Sequence, residues 1–364
     1  MFETPALIID GQKLYKNIAN MADYATTHGF RLRPHIKAHR LPEIASLQVE
    51  QGSAGFTCAK IGEAEMLAQH GFNDLLIAYQ LVGTAKMNKL ARLLPTTAVT
   101  VGCDSLQGAM ALEELAKGLK QTIAVSLEID SGLHRCGTLP GEDTLNLANS
   151  IRRSCPNIVI KGVFTHAGQA YAATSQEQVR QIAITEASAV VETAELLGRH
   201  GFQIDEVSVG STPTAQYSHL VPGVTEIRPG NYVFYDAIQV GLGVVPEQRC
   251  ALTVCTTVIS RSIPNQVVVD AGSKVLGLDK GAHGLELVKG YGIVVGWPHL
   301  VVERLSEEHG VVVRRSDGPL PQIGEQLNII PNHACPVLYR ADRVQVTGIA
   351  DRPLTWYSQL RGSW

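Results

Sequence analysis

The amino-acid sequence predicts an α/β fold, namely a (β/α)8 barrel of the TIM type followed by a C-terminal all-β domain. Over the first two-thirds of the chain, short apolar runs alternate with amphipathic segments. About eight of these runs are typical of parallel strands buried on both faces. From about residue 240, short β-branched segments separated by Gly, Pro and Asp take over. Such alternation indicates a barrel, and an open doubly wound sheet is the competing arrangement.

The individual elements follow from local patterns. A helix is predicted over Asp10–His28, with Asp10 as its N-cap. A second helix begins after Tyr171 with Thr174-Ser-Gln-Glu177, the pattern of a capping box. We place the end of the barrel near Gly241. The predicted barrel strands are Arg31–Ile36, Ala54–Cys58, Asp74–Ala78, Ala98–Val101, Thr122–Ile129, Ile158–Thr165, Ile204–Val209 and Val224–Arg228.

Composition excludes several classes of protein. The 364 residues are 45% hydrophobic and 18% charged, and 31 Lys and Arg stand against 34 Asp and Glu. This balance argues against a nucleic-acid partner and against disorder. No uninterrupted apolar stretch reaches the roughly 18 residues that span a bilayer. The N-terminus does not resemble a signal peptide, and the seven cysteines form no C-x-x-C pair. We therefore expect a cytoplasmic enzyme without membrane contact.

The first segment with chemical interest is Arg33-Pro-His-Ile-Lys37, at the end of the first predicted strand. Active sites of barrels form at the C-terminal ends of strands. In an extended segment Arg33, His35 and Lys37 project to one side. A lysine in the mouth of a barrel has a lowered pKa and can form a Schiff base. An ordinary surface lysine is the alternative.

A second segment, Gly210-Ser-Thr212, follows the seventh predicted strand. Backbone N–H groups and hydroxyls at such a turn can hold an anion, and phosphate sites of barrels often lie after strands seven and eight. A plain turn with an N-cap is the alternative. Together with Lys37, this turn indicates a phosphorylated aldehyde cofactor.

Two further segments carry candidate site residues. Arg135 follows the fifth predicted strand and could donate to a ring nitrogen, whereas a salt bridge to Glu128 or Asp130 is the alternative. His333 and Cys335 share one face if their segment is extended, so that they could bind one metal ion. A thiolate ligand favours zinc. A buried cysteine beside a histidine is the alternative.

These motifs together resemble those of the D-threonine aldolase/D-serine dehydratase family. Its members are fold type III pyridoxal-phosphate enzymes related to alanine racemase. The resemblance covers nearly the whole chain, through TPALIID, RPHIKAH, EIDSGLHRCG, THAGQAY, VGSTPT, RPGNYVFYD, DAGSK, SEEHG and PNHACP. It implies a barrel of residues 10–240 and a β domain of residues 241–364 completed by residues 1–9. It also implies a homodimer.

The same resemblance implies roles for individual residues. Lys37 would form the Schiff base with pyridoxal 5'-phosphate, and Arg135 would face the pyridine nitrogen. His333 and Cys335 would bind a divalent metal, with zinc favoured and manganese or magnesium possible. No role follows for His35, His39 or His309. The cofactor-binding positions that the resemblance implies are Lys37, Arg135, His166, Tyr171, Gly210, Ser211, Thr212 and Tyr235.

The metal motif separates the branches of this family. D-Serine dehydratases carry His-x-Cys and a THAGHSY-like segment, whereas D-threonine aldolases typically carry His-x-Asp. This chain has His-x-Cys and THAGQAY, with Gln169 and Ala170 in place of His and Ser. The resemblance therefore implies a position nearer the dehydratase branch.

We expect a β-elimination on a 3-hydroxy D-amino acid, with D-serine as the first candidate substrate. Lys37 would remove the α-proton, and the metal would assist departure of the 3-hydroxyl. Retro-aldol cleavage of D-threonine-like substrates to glycine and an aldehyde is the close alternative. A dehydratase or aldolase acting on D-3-hydroxyaspartate is also open, and an extra cationic side chain near the substrate would favour it. A racemase and a non-catalytic pyridoxal-phosphate carrier are more distant alternatives.

Overall fold

The computed structural model describes residues 2–281 and 286–360. Within the described ranges, eight strands, β2 to β9, pair in parallel to form one sheet. The first strand of the chain, β1 (Ala6–Asp10), belongs to a second sheet that is described below. In space the order of the eight parallel strands is β2-β9-β8-β7-β6-β5-β4-β3. The eight strands are β2 (Arg31–Leu32), β3 (Phe56–Cys58), β4 (Asp74–Ile77), β5 (Ala98–Cys103), β6 (Ile123–Glu128), β7 (Ile158–Phe164), β8 (Glu206–Val209) and β9 (Glu226–Ile227).

The two ends of this sheet meet through backbone hydrogen bonds. The N–H of Ala54 donates to Leu32 O and that of Thr57 donates to Pro34 O, both at 2.8 Å. His35 and Thr57 form a parallel bridge between the same two segments. The sheet therefore curls so that β2 and β3 are neighbours. Together with the second sheet described below, this arrangement confirms the predicted α/β fold.

Helices cover the outside of the barrel, and their starts follow the predicted caps closely. The Asp10 side chain accepts from Lys13 N at 3.1 Å, as predicted. The second cap is Ser175, which accepts from Gln178 N at 3.2 Å, one residue later than the predicted capping box. None of the described helices could cross a membrane. The first seven are α1 (Gly11–Thr27), α2 (Pro42–Glu50), α3 (Ile61–Gln69), α4 (Thr84–Leu93), α5 (Leu106–Leu119), α6 (Glu142–Ser154) and α7 (Gln176–Arg199).

The second sheet is mostly antiparallel and includes the first strand of the chain. Strand β1 pairs antiparallel with β10 (Leu252–Ser260) and parallel with β16 (Arg343–Thr347). Its other strands are β11 (Gln266–Val269), β12 (Ile293–Val294), β13 (Leu300–Leu305), β14 (Gly310–Arg314), β15 (Gln326–Ile330) and β17 (Leu354–Tyr357). Four short helices complete the described elements, namely α8 (Thr212–Ala215), α9 (Ala237–Gly241), α10 (Ser273–Leu276) and α11 (Ala334–Arg340).

The first strand of the barrel is shorter than predicted, and this changes where its side chains point. Strand β2 ends at Leu32, and Ile36–Ala38 form a 3-10 turn. Arg33 does not reach the mouth of the barrel with His35 and Lys37. Its buried guanidinium lies 2.7 Å from Glu226 and 2.7 Å from Asp74 instead. The extended segment predicted for these residues is therefore wrong, because carboxylates from other strands hold the arginine.

Candidate active site

A cavity of about 640 Å³ opens at the C-terminal ends of the barrel strands, against helix α11. It joins a smaller cavity of about 380 Å³ through shared residues that include Lys37 and Arg135. Gly210 lines the smaller cavity, and Tyr235 lines neither. The other eight predicted site residues line the larger one: Lys37, Arg135, His166, Tyr171, Ser211, Thr212, His333 and Cys335.

Lys37 projects into this cavity from the 3-10 turn that follows β2. Its side chain is exposed within the cavity, yet protein surrounds it. This enclosure lowers the pKa of Lys37. The charge of Cys335 opposes that shift, and the charge of Arg135 reinforces it. A lysine whose neutral form is favoured is suited to attack an aldehyde.

Two half-buried histidines stand beside Lys37. Burial and the charge of Lys37 hold the pKa values of His35 and His166 well below the usual range, so that both rings are neutral. His166 Nδ1 lies 3.2 Å from the carbonyl oxygen of Gly210. The Nδ1 of His35 is buried and has no hydrogen-bond partner among the described residues. These rings can therefore contact a bound group without adding positive charge.

The turn after β8 has the form expected of an anion site. Gly210 has a φ of +124°, and a Cβ at this position would lie 3.1 Å from the backbone nitrogen of Arg228. A side chain there would be strained, so glycine allows the turn to approach Arg228 closely. The hydroxyls of Ser211 and Thr214 lie 3.0 Å apart just beyond it. Burial shields this turn from water, which strengthens its polar interactions.

A buried carboxylate on α7 fixes this turn from behind. Glu186 Oε1 accepts from the N–H of Gly210 and from the N–H of Ala167, both at 3.0 Å. Burial raises the pKa of Glu186, and the hydrogen bonds from these two N–H groups oppose that shift. The turn after β8 and the loop that carries His166 therefore share one anchor.

Arg135 stands at the junction of the two cavities. Its side chain is half-exposed, and its nearest carboxylate oxygen, Glu128 Oε1, lies 3.7 Å away. The guanidinium therefore forms a long ion pair with Glu128 and also faces the cavity that Lys37 enters. The salt bridge to Glu128 is therefore present as a long pair, and the contact of Arg135 with a ring nitrogen stays a prediction.

His333 and Cys335 lie together on the wall that α11 contributes. The predicted extended segment is wrong here, because Ala334 begins α11 and His333 is its N-cap. Burial would lower the pKa of His333, but hydrogen bonds to Asp279 and Cys335 raise it to about 10. The His333 Nδ1 lies 3.5 Å from Asp279 Oδ2. The imidazole and thiol meet despite the helical backbone.

The two tyrosines have different surroundings. Burial raises the pKa of Tyr171, and the neighbouring side chains of Gln239 and Thr212 oppose that shift. Tyr235 is buried with a φ of +50°, and the Arg249 guanidinium lies 5.5 Å from its ring centroid. Tyr171 therefore borders the cavity, and Tyr235 packs behind it.

Four residues of the site were not singled out in the sequence. Arg228 lines both cavities, and its Nη1 donates to Ser208 Oγ at 2.5 Å. Asp236 and Asn231 line the larger cavity behind Cys335, and Glu186 lies behind the Gly210–Thr212 turn. Arg228, Asn231 and Asp236 lie in the RPGNYVFYD motif, whereas Glu186 lies outside every motif named above.

The residues present fit pyridoxal phosphate and a metal ion. Lys37, Arg135, Ser211 and Thr212 line one cavity together with His35, whose buried Nδ1 has no hydrogen-bond partner among the described residues. The imidazole and thiol of the α11 wall are a donor pair that suits zinc. A barrel with this lysine after its first strand and this turn after its seventh defines the alanine-racemase-like class of enzyme.

Comparisons with known proteins agree with this class. The family model described as alanine racemase, N-terminal domain, matches residues 9–237, and the putative serine dehydratase domain matches residues 251–347. D-threo-3-hydroxyaspartate dehydratase of Delftia sp. (strain HT23) is 32% identical over 348 residues, covering 92% of this chain and 91% of that protein. 3-Hydroxy-D-aspartate aldolase of Paracoccus denitrificans (strain Pd 1222) is 32% identical over 343 residues, covering 92% and 86%.

Solved structures show the same relationship. D-Threonine aldolase from Filomicrobium marinum superposes with a TM-score of 0.90 at 30% identity, covering 99% of this chain and 96% of that one. A cysteine-to-alanine variant of D-threo-3-hydroxyaspartate dehydratase, in its metal-free form, gives 0.89 at 31% identity, covering 98% of both chains. The chain therefore belongs to the D-threonine aldolase/D-serine dehydratase family of alanine-racemase-like proteins. It is a lyase of this pyridoxal-phosphate-dependent family.

Proposed function

We propose that this lyase eliminates water from 3-hydroxy D-amino acids, with D-serine, converted to pyruvate and ammonia, as the simplest substrate. One observation carries the proposal: Lys37, His333 and Cys335 line a single cavity. A base for the α-proton and a metal ligand pair for the 3-hydroxyl are the two groups that such an elimination requires. Relatives named as hydroxyaspartate dehydratase and aldolase support this substrate class.

The proposal assigns residues to both cofactors. Lys37 would bind pyridoxal phosphate covalently, the Gly210–Thr212 turn would hold its phosphate, and Arg135 would meet its pyridine nitrogen. His333 and Cys335 would bind a divalent cation, with zinc favoured over manganese and magnesium. When bound, the first group supplies an aldehyde and an electron-withdrawing ring, and the second supplies a Lewis acid for the 3-hydroxyl.

Residues of the chain itself would move the proton, orient the bound groups and position the metal ligands. Once the amine of the substrate has taken its place on the cofactor, the neutral amine of Lys37 would accept the proton from Cα of the substrate. Its lowered pKa would let it do so near neutral pH. The neutral rings of His35 and His166 orient bound groups without competing for that proton. Asp236 holds the backbone that carries the metal ligands by accepting from Ala334 N at 3.0 Å.

The His-x-Cys pair supports a dehydratase, and retro-aldol cleavage to glycine and an aldehyde is the alternative. Both reactions need the metal at the 3-hydroxyl, so that metal dependence does not separate them. Their products do. An elimination releases ammonia and a keto acid, whereas cleavage releases glycine and an aldehyde.

The test is therefore a product analysis with the purified holoenzyme. D-Serine, D-threonine and D-3-hydroxyaspartate are each incubated with and without zinc, and ammonia, keto acid, glycine and aldehyde are measured. Ammonia with keto acid that disappears on chelation supports the proposal. Glycine with aldehyde would establish the aldolase instead, and activity retained after complete metal removal would contradict both.

Three further parts of the proposal accompany this activity. We divide the chain into a barrel of residues 10–240 and a β domain of residues 1–9 and 241–364, which the pairing of β1 with β10 and β16 supports. We also propose a homodimer and a cytoplasmic location. Sedimentation of the holoenzyme and fractionation of the source cells test these two points.

A further inference from the structure

The larger cavity carries more positive charge than the proposed reaction uses. Among the described residues, five cationic side chains line it against two aspartates; the five are Lys37, Arg40, Lys60, Arg135 and Arg228. Three have partners or proposed roles, since Lys37 and Arg135 would bind the cofactor and Arg228 is held by Ser208. Arg40 and Lys60 have no role in the proposed reaction.

One carboxylate holds the Arg40 side chain and the backbone that carries Lys60. The Oε1 of Glu63, itself buried, accepts from Arg40 Nε at 2.8 Å. Its Oε2 accepts from the backbone N–H groups of Ala59 at 2.6 Å and Lys60 at 3.3 Å. The carboxylate neutralises one of the two positive charges at most. A net positive charge is therefore left facing the cavity.

Among the described residues, Glu63 is the only carboxylate within 4 Å of either cation. Arg40 Nη1 is buried and has no hydrogen-bond partner in residues 2–281 or 286–360. Only 14% of the Arg40 side chain is exposed. Within the same ranges, no carboxylate oxygen lies within 4 Å of the ammonium group of Lys60. Instead, this group lies 4.1 Å from the ring centroid of Tyr79. Aromatic rings pack against both cations, since Arg40 also stacks 4.4 Å from the Tyr339 ring. A hydrogen bond with Lys60 lowers the pKa of the Tyr79 hydroxyl.

The backbone of Arg40 is strained in a way that maintains this placement. Its φ is +56°, in the left-handed region that non-glycine residues seldom adopt. A left-handed conformation at a non-glycine residue persists only where the surroundings impose it. The guanidinium is thus held at the cavity wall by its backbone, by Glu63 and by Tyr339.

The anion is not the cofactor's phosphate, because its proposed site lies elsewhere on the barrel. The Gly210–Thr212 turn follows β8, whereas Arg40 and Lys60 follow β2 and β3, two and three strand positions away around the sheet. Tyr339, which stacks on Arg40, lies four residues after Cys335 on the same face of α11. Arg40 therefore contacts the helix that carries Cys335, and Lys60 lines the same cavity.

We propose that Arg40 and Lys60 form a subsite for a second carboxylate of the substrate, borne by the carbon that carries the 3-hydroxyl. This inference rests on the proposed function and narrows its substrate class to dicarboxylic 3-hydroxy D-amino acids, of which 3-hydroxy-D-aspartate is the smallest. In that molecule one carbon bears both the hydroxyl and the second carboxylate, which matches the adjacency of Cys335 and Tyr339.

The test compares substrates and variants of the holoenzyme. Wild-type kcat/KM is measured for both diastereomers of 3-hydroxy-D-aspartate and for D-serine. Lys60→Met removes the ammonium but keeps the stem, and Lys60→Arg restores a cation. Lys86→Met is the matched control, because the Lys86 ammonium lies 5.5 Å from the same Tyr79 ring but Lys86 lines neither cavity. Arg40→Lys is a second variant that keeps a cation beside Glu63.

The wild type should prefer a 3-hydroxy-D-aspartate diastereomer over D-serine. Lys60→Met should lower kcat/KM for that substrate by about 10- to 100-fold more than for D-serine, mainly through KM. Lys60→Arg should recover most of the loss, and Lys86→Met should change neither substrate. Equal losses for both substrates would show that the cations bind the α-carboxylate and would overturn the proposal, as would a wild-type preference for D-serine. Turnover of none of these substrates would instead refute the proposed function itself.

Discussion

The carboxylate of Asp236 accepts a 3.0 Å hydrogen bond from the backbone N–H of Ala334. Ala334 lies between His333 and Cys335, so that a residue 98 positions earlier in the chain fixes the proposed metal ligands. Asp236 also accepts from Asn231 Nδ2 at 2.7 Å, and it is almost fully buried. The two halves of the site are thus joined through one aspartate.

Replacing Asp236 should weaken metal binding more than it affects the fold. We expect Asp236→Ala to lower zinc affinity by about 10- to 100-fold, the usual effect of losing a group that orients metal ligands. Asp236→Asn should lose less, because it keeps one carbonyl oxygen for Ala334. Competition titration with a zinc chelator measures both. Wild-type affinity in the alanine variant would contradict the prediction, and an unchanged cofactor absorbance serves as the control for folding.

Glu186 should support cofactor binding without touching the cofactor. Glu186→Ala leaves the N–H groups of Ala167 and Gly210 without their acceptor and should raise the Kd for pyridoxal phosphate by about ten-fold or more. Glu186→Gln keeps Oε1 and should stay within about three-fold of wild type. Fluorescence titration of the apoenzyme provides the Kd. If both variants weaken binding equally, the anchor does not act through those two hydrogen bonds.

The buried ion pair of Arg33 should matter for stability and not for catalysis. The side chains of Arg33 and Glu226 are 2% and 1% exposed, so that Arg33→Met would leave a buried carboxylate without its cation. The expected loss is about 3–5 kcal/mol in the free energy of unfolding. Arg31→Met is the matched control, because Arg31 is 42% exposed and its loss should cost about 1 kcal/mol or less. Urea unfolding of both variants gives the comparison; similar losses would disprove the difference.

The buried imidazole of His39 should make the fold less stable in acid. Burial lowers the pKa of His39 from 6.5 to about 4, and its Nδ1 accepts from Leu41 N at 3.2 Å. Between these pH values the unfolded chain binds a proton that the folded chain does not. Stability is therefore complete above pH 6.5 and falls as the pH drops toward 4, by about 3 kcal/mol from this residue.

His39→Asn tests this pH dependence, because asparagine keeps a neutral acceptor for Leu41 N. The free energy of unfolding is measured between pH 4 and 7 for both proteins. The variant should lose less stability over that window than the wild type does. Parallel curves would mean that His39 titrates alike in both states.

Much of the fold follows from the sequence, and the exceptions have physical causes. Eight apolar runs predicted the barrel strands, and the cap at Asp10 formed as expected. The extended form of the Lys37 and His333 segments was not confirmed. In the Lys37 segment, a 3-10 turn replaces the extended form. In the His333 segment, helix α11 begins at Ala334, whose backbone N–H donates to Asp236. Such hydrogen bonds between distant residues leave no local pattern.

The site was predictable where a motif carried it and not where an isolated charge did. Lys37, the Gly210 turn and the His-x-Cys pair came from motifs, and the structure brings them around connected cavities. Glu186 and Asp236 act through backbone N–H groups, which any sequence offers equally. Tyr235 belongs to a motif but packs behind the cavity, because its ring lies against Arg249.

The most direct test of the site is to identify the residue that binds the cofactor. The holoenzyme is reduced with borohydride, digested, and analysed by mass spectrometry for a pyridoxyl group on lysine. The label should reside on Lys37 alone, and Lys37→Ala should abolish both the label and the visible absorbance of the Schiff base. A pyridoxyl group on Lys60 or another lysine, or an unchanged spectrum in Lys37→Ala, would contradict the proposed function.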